Sequence, residues 1–335
     1  MIDEGANMSK TYNWGIMATG KIAYTFAKAV NSVPDARLYA CASRTKDKAE
    51  EFARKTGAAK AYSSYEELAR DPDVDIIYIA SPMSCHYENA ELCLENGKNV
   101  LCEKSITLNS GELEKLVSLA KEKGLFFMEA MWMKCLPAFL TAKEWVDAGL
   151  IGDIRAIRAD FSCPNPYNLS DRLFDAKLGG GALLDLGVYP ITFITAFLGY
   201  EPESISSAVN IDMGIDLNET VIMKYKNAYA SFVAGFDIDN DNRAVIVGTK
   251  GRIAFDPWFH CTAAVRLYDK SCKLVKESVI PHPCNGYEYE IVEAQNCLNA
   301  GLAESVKVPL EGTAKIMRIM DSLRRDWGLV YPGEA

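Results

Sequence analysis

Three residue types in this chain have a spacing that could do chemistry. Lys104 sits in Glu103-Lys104-Ser105, directly after the short apolar stretch 99–102. Asp185 and Tyr189 come later in the chain, four positions apart, behind the run Gly179-Gly180-Gly181. A lysine, an aspartate and a tyrosine suit hydride transfer at a hydroxyl-bearing carbon, because the hydroxyl proton must leave as the hydride leaves. A phenol with its usual pKa of about 10 is a poor base near neutrality. A neighbouring ammonium favours its ionised form. The pattern therefore predicts that Tyr189 exchanges the proton, Lys104 polarises the oxygen and tunes Tyr189, and Asp185 orients Lys104. The reverse assignment of Lys104 and Tyr189 is equally open from sequence. Residues 182–198 read as one helix, so Asp185 and Tyr189 share a face, with a kink or break at Pro190.

Alternating strand and helix signals must position Lys104. Apolar runs at 12–18, 37–42, 74–80, 99–102 and 126–128 read as strands. Between them, 21–30, 46–56, 64–70, 87–95 and 110–123 read as helices. This is the pattern of βαβ units and a parallel sheet. The loop after the first strand places Ala18, Gly20 and Ala23 on the G-x-G-x-x-G/A dinucleotide fingerprint. Ala18, Thr19, Gly20, Lys21 and Ile22 are thus the expected pyrophosphate cradle, with backbone amides of a helix N-terminus facing the phosphates. Ser43 and Arg44, with Lys48 following, close the second strand where NAD sites usually carry a carboxylate. That substitution favours NADP over NAD.

The second half changes character. A helix ends near 148, and strand-like runs follow at 154–161, 205–211, 219–225, 228–234, 242–248, 251–255, 263–268 and 273–280. Helical patterns at 287–300 and 311–326 close the chain. The fold class expected is an α/β Rossmann domain over 10–129, followed over 130–335 by an α+β domain with a large, mostly antiparallel open sheet. The last helix is expected to pack back on the first domain.

Composition excludes several classes. The chain has 335 residues, 49% hydrophobic, and a formal net charge of −9. No basic run marks a nucleic-acid partner. No apolar run looks long enough to span a membrane. Ten cysteines lack a framework spacing and three histidines lie far apart, so free thiols, a cytoplasmic setting and no metal site are expected.

Several motifs coincide with one family. They are Trp14-Gly15-Ile16, Ser43-Arg44, Tyr78-Ile79-Ala80-Ser81-Pro82 with His86, 97–104 ending in Glu103-Lys104, Met128-Glu129-Ala130-Met131-Trp132, Gly152-Asp153-Ile154-Arg155, 179–190, and 324–332. In that order, they make the chain resemble the Gfo/Idh/MocA oxidoreductases, within them the dihydrodiol dehydrogenase and NADP-dependent D-xylose dehydrogenase branch. The resemblance implies NADP-dependent hydride transfer to or from a secondary alcohol of a sugar or cyclic trans-diol. It implies Lys104 near the nicotinamide, Glu103 beside the cofactor, and Ser81, Pro82 and His86 near the nicotinamide ribose. It also implies Asp185 and Tyr189 as the partner pair, Arg155 near the site, and a homodimer or dimer of dimers that covers the open sheet. Trp132 is a further candidate for contact with a ring substrate. Ser105 stands where the family usually has proline, which is expected to loosen Lys104. Two other readings stand beside this one: an enzyme that holds NAD(P) for internal redox, and a non-catalytic NADP-binding sensor or scaffold.

Overall fold

The computed structural model describes residues 10–334 except 167, 169 and 170. The first half contains β1 (Tyr12–Met17), α1 (Lys21–Val30), β2 (Ala36–Ala42), α2 (Lys46–Thr56), β3 (Lys60–Tyr62), α3 (Tyr65–Arg70), β4 (Ile76–Ile79), α4 (His86–Glu95), β5 (Asn99–Cys102), α5 (Ser110–Lys123) and β6 (Phe127–Glu129). The strands form one parallel sheet in the order β3-β2-β1-β4-β5-β6. Helices cover it, so its central strands are continuous apolar runs: every residue of β4 is buried. Helix boundaries follow from local chemistry. Ser64 caps α3 in a full capping box with Glu67. Gly57 and Gly124 end α2 and α5 in the left-handed conformation. The order reverses at β1/β4, which opens a crevice at the carboxyl ends of those strands.

The second half contains α6 (Pro137–Asp147), β7 (Ile154–Ala159), β8 (Phe161–Ser162), α7 (Val188–Leu198), β9 (Ser204–Asp212), β10 (Ile215–Lys224), β11 (Tyr229–Gly235), β12 (Ala244–Gly248), β13 (Gly251–Phe255), β14 (Ala264–Asp269), β15 (Leu274–Val279), α8 (Glu288–Asn299) and α9 (Leu310–Trp327). Its sheet has nine strands, ordered β15-β14-β13-β12-β7-β11-β10-β9, with β8 also paired to β11. All pairs are antiparallel except those of β11 with β7 and β8. Residues alternate across β10, Glu219, Val221 and Met223 inward and Thr220, Ile222 and Lys224 outward. The inner face carries α6 and α7. The outer face leaves Ile222, Tyr229 and Val247 exposed.

The chain then returns to the first half. Thr313 of α9 donates to Glu129 at the end of β6 (3.2 Å), and Arg324 donates to the Leu108 carbonyl (3.0 Å). The segment Ala176–Leu198 is long and apolar enough to cross a membrane, contrary to the expectation of no such run. Of its apolar 18-residue window 83% is buried, so the segment belongs to the core here.

Candidate active site

The crevice begins where β1 ends. Ala18 takes a left-handed backbone (φ 74°), the conformation a glycine adopts most easily, and its amide closes onto Ala42 of β2 (3.0 Å). Gly20 precedes α1 with no side-chain cap, and a Cβ there would meet nothing within 4 Å. The amides of Lys21 and Ile22 therefore start a helix without intrahelical partners, beside open space. Thr19 Oγ1 lies 3.3 Å from the buried Ser43 Oγ, and Arg44 and Lys48 are exposed at the start of α2. An open cradle, free amides and two cations without a carboxylate at the end of β2 fit a dinucleotide phosphate chain.

After β4, Ser81 Oγ accepts from Asn89 (2.8 Å). His86 is 1% exposed, with its ring nitrogens 2.9 Å from the carbonyls of Ser81 and Ser105. Burial pulls its pKa down to about 4. His86 is therefore a brace between the loops that follow β4 and β5, with both ring nitrogens facing backbone carbonyls. Pro82, beside it, is only half-buried and starts the short turn before α4. Glu103 is likewise buried and accepts from the Tyr78 hydroxyl. Burial raises its carboxyl. It works through Tyr78 and the Lys104 amide (3.2 Å).

The candidate groups meet between the two sheets. Lys104 Nζ donates to the Asp185 carbonyl (2.5 Å) and to Asp185 Oδ1 (3.3 Å). An ammonium has three donors, so one remains for a ligand. The same Nζ lies 5.0 Å from the centre of the Tyr189 ring. Trp132 Nε1 donates to the Tyr189 hydroxyl (2.8 Å), leaving the phenol O–H available as a donor. The predicted helix begins with a π-helical turn, Leu183–Gly187, before α7. Pro190 has no N–H to continue an even α-helix, and the wider turn absorbs the mismatch. Asp185 and Tyr189 do share a face, both toward Lys104.

Three expectations change, and one residue is added. Tyr189 is not tuned downward: burial, then the charge of Glu103, holds its pKa well above 10, so it is a neutral phenol. Lys104 is not loosened by the missing proline, because Ser105 is fully buried and its Oγ donates to the Leu184 carbonyl (2.8 Å). Arg155 is not at this cluster: it is exposed on β7 and reaches Asn227 O (3.3 Å) and Asp153. Arg172, unrecognised in the sequence, is the arginine of the site, with both terminal nitrogens 3.2–3.3 Å from Asp185 Oδ1. Burial alone would raise the Asp185 carboxyl, but Lys104 and Arg172 outweigh it and hold it below the usual range.

An aromatic wall surrounds Tyr189. Phe161 lies 5.4 Å from it and stacks on His260 (4.1 Å, 24°). Trp132 stacks on Tyr287 (4.3 Å, 14°). Burial, then Lys104, pulls the His260 pKa down to about 3, so its ring is neutral. His260 and Tyr287 had no sequence signal beyond residue type. Among the described residues, no cluster of three metal-binding side chains occurs.

A Rossmann crevice that fits a dinucleotide and ends on a lysine, an aspartate and a tyrosine is the layout of a nicotinamide-dependent oxidoreductase. The chain belongs to the Gfo/Idh/MocA family: the model described as "Oxidoreductase family, NAD-binding Rossmann fold" matches residues 12–131, and that of the GFO/IDH/MocA C-terminal domain matches 139–254. It is similar to the trans-1,2-dihydrobenzene-1,2-diol dehydrogenase of Xenopus laevis, 35% identical over 332 residues, 95% of this chain and 99% of that protein. The Bos taurus enzyme of the same name is 36% identical over 337 residues, 95% and 98% of the two chains. A 3-ketoreductase from Actinomadura kijaniata, in complex with NADP and TDP-benzene, has a TM-score of 0.85 at 26% identity and covers 94% of this chain and 98% of its own. An aldose–aldose oxidoreductase from Caulobacter crescentus has a TM-score of 0.86 at 22% identity, covers 94% and 97%, and bears on the fold alone.

Proposed function

We propose that the protein transfers hydride between NADP(H) and a secondary alcohol or carbonyl of a cyclic trans-diol or a sugar. The observation that carries this is the Lys104 ammonium, fixed by Asp185 beside the ring of Tyr189, whose oxygen already accepts from Trp132. The bound nicotinamide supplies or takes up the hydride. In the reductive direction, the free Lys104 donor polarises the substrate carbonyl oxygen. Tyr189, held neutral by burial, donates its O–H to the oxygen as negative charge develops there. The Trp132 N–H then stabilises the phenolate left behind. Asp185 and Arg172 keep the ammonium in place.

Ser43, Arg44 and Lys48 support NADP, since their hydroxyl and cations suit a 2′-phosphate. The aromatic wall of Phe161, His260, Trp132 and Tyr287 supports a ring-shaped substrate, as do the names of the dihydrodiol dehydrogenase relatives. We also propose a homodimer through the outer face of the nine-stranded sheet, where Ile222, Tyr229 and Val247 are exposed. Ten unpaired cysteines support a reducing, cytoplasmic setting.

The test is near-ultraviolet absorbance of reduced nicotinamide, with purified protein, NADP⁺ or NAD⁺, and a panel of trans-dihydrodiols, aldoses and inositols. Turnover with NADP⁺ and a cyclic diol or sugar is expected. NADPH binding without turnover of any compound would favour a sensor or a held-cofactor enzyme. Faster turnover with NAD⁺ would overturn the cofactor assignment.

A further inference from the structure

Two carboxyl groups lie beneath the turn that carries Asp185. Asp216 and Glu219 are three positions apart on β10, so in an even strand they would leave opposite faces. The β9–β10 ladder is irregular between Asp216 and Asn218, and this bulge turns both inward. They are 0% and 1% exposed. Asp216 Oδ2 accepts the amide of Leu183, the first residue of the π-helical turn, at 2.5 Å. Asp216 Oδ1 and both Glu219 oxygens have no donor among the described residues, although the two carboxyls lie within hydrogen-bonding reach of each other. Two carboxylate oxygens bond each other only when one carries a proton.

The turn is shaped to sit on this pair. Gly181 has φ 124°, and a Cβ there would lie 2.3 Å from Asp216 Oδ1. A Cβ on Gly187 would lie 2.9 Å from Glu219 Oε1. Two glycines thus bracket Asp185 and rest its backbone directly on the carboxyls. From α9, Arg324 acts on Asp216, but its guanidinium is bonded to Glu334, Asp321 and the Leu108 carbonyl. From the tail, Tyr331 faces the pair while its hydroxyl donates to the Gly180 carbonyl (2.7 Å). β11 brings Phe232 against Gly187, and Asp185 turns to Lys104 and Arg172.

We propose that Asp216 and Glu219 are positioning residues that share one proton, and that the protonated pair seats the Leu183–Gly187 turn so that Asp185 holds Lys104. The proposal rests on the reading of that centre as the site of hydride transfer. Burial favours the protonated pair, raising Glu219 well above the carboxylate range and Asp216 to about 7. A carboxyl raised on folding holds a proton that the unfolded chain releases. The pair therefore stabilises most at low pH, and this contribution fades as pH climbs from the ordinary carboxylate range to the folded values.

The test uses the full chain and two variants. In Glu219→Gln, the amide keeps the shape and donates to Asp216 but does not titrate. The melting temperature of wild type should fall with rising pH more steeply than that of E219Q, by the release of about one proton. E219Q should keep wild-type kcat near neutral pH, whereas Glu219→Ala should lower kcat about tenfold with NADPH affinity and KM unchanged. Identical pH slopes of melting temperature in wild type and E219Q would overturn the shared proton, whether or not a substrate is found. Wild-type kcat in folded E219A would overturn the positioning role. Absence of turnover in wild type itself would instead count against the proposed reaction.

Discussion

Replacing Tyr189 with phenylalanine removes one oxygen from a ring that is 5% exposed. Two separate losses follow. The reacting oxygen loses its proton donor, and general acid catalysis is worth about 10²–10⁴-fold. The buried Trp132 Nε1–H loses its acceptor at 2.8 Å, which costs about 1–3 kcal/mol of stability. At about 2.1 cal/mol/K per residue, 335 residues give an unfolding entropy near 0.7 kcal/mol/K, so the melting temperature should fall by about 1–4 °C. The cradle from Ala18 to Ile22 is untouched, so the NADPH dissociation constant should change less than about threefold. Stopped-flow or steady-state absorbance, cofactor titration and thermal melts read these three quantities on one preparation. Turnover within about threefold of wild type would remove Tyr189 from the proton path. A loss of NADPH affinity equal to the loss of rate would show that the ring holds the cofactor instead.

Arg44→Ala should weaken NADPH by about tenfold or more, the worth of a charge-assisted bond to phosphate, and leave NADH nearly unchanged; matched losses would defeat the 2′-phosphate assignment. Arg172→Met should lower kcat/KM only about fivefold, because that guanidinium is half exposed, while Lys104→Met should nearly abolish turnover; the opposite ranking would reverse their roles. Because Lys104 and Arg172 depress the Asp185 carboxyl, R172M should also move the acid limb of the pH profile to higher pH. Tyr229→Asp should shift sedimentation from dimer to monomer without unfolding the chain, and an unchanged coefficient would move the interface elsewhere.

The Rossmann half was largely legible because β-branched runs and caps report its elements locally. Helices α1, α2 and α5 begin and end where the sequence placed them. Strand β3 was not seen, since its three residues are half-buried and include Lys60. The fold brings together Lys104, Asp185, Tyr189 and Trp132, the candidates that residue type and spacing single out. Their electrostatics were not legible. Burial of the Tyr189 ring depends on Phe161 and Trp132, which lie 28 and 57 positions away in the chain. Arg172 sits in a short turn without periodicity, and nothing but the fold aims it at Asp185. The π-helical turn had one local signal, Pro190, which predicts a break but not its geometry.

Trp132 ties together two tasks, building the aromatic wall and holding the Tyr189 oxygen. The wall residues Phe161, His260 and Tyr287 come from separate segments, and Phe161 and His260 meet Tyr189 only through ring contacts. Trp132 has its indole face on Tyr287 and its N–H on the Tyr189 oxygen. Any exchange there that enlarges or reshapes the pocket also alters the proton donor. Exchanges at Phe161 or His260 act on Tyr189 through packing alone, whereas an exchange at residue 132 also removes a hydrogen bond from its oxygen, so a library aimed at the proposed reaction should leave residue 132 fixed.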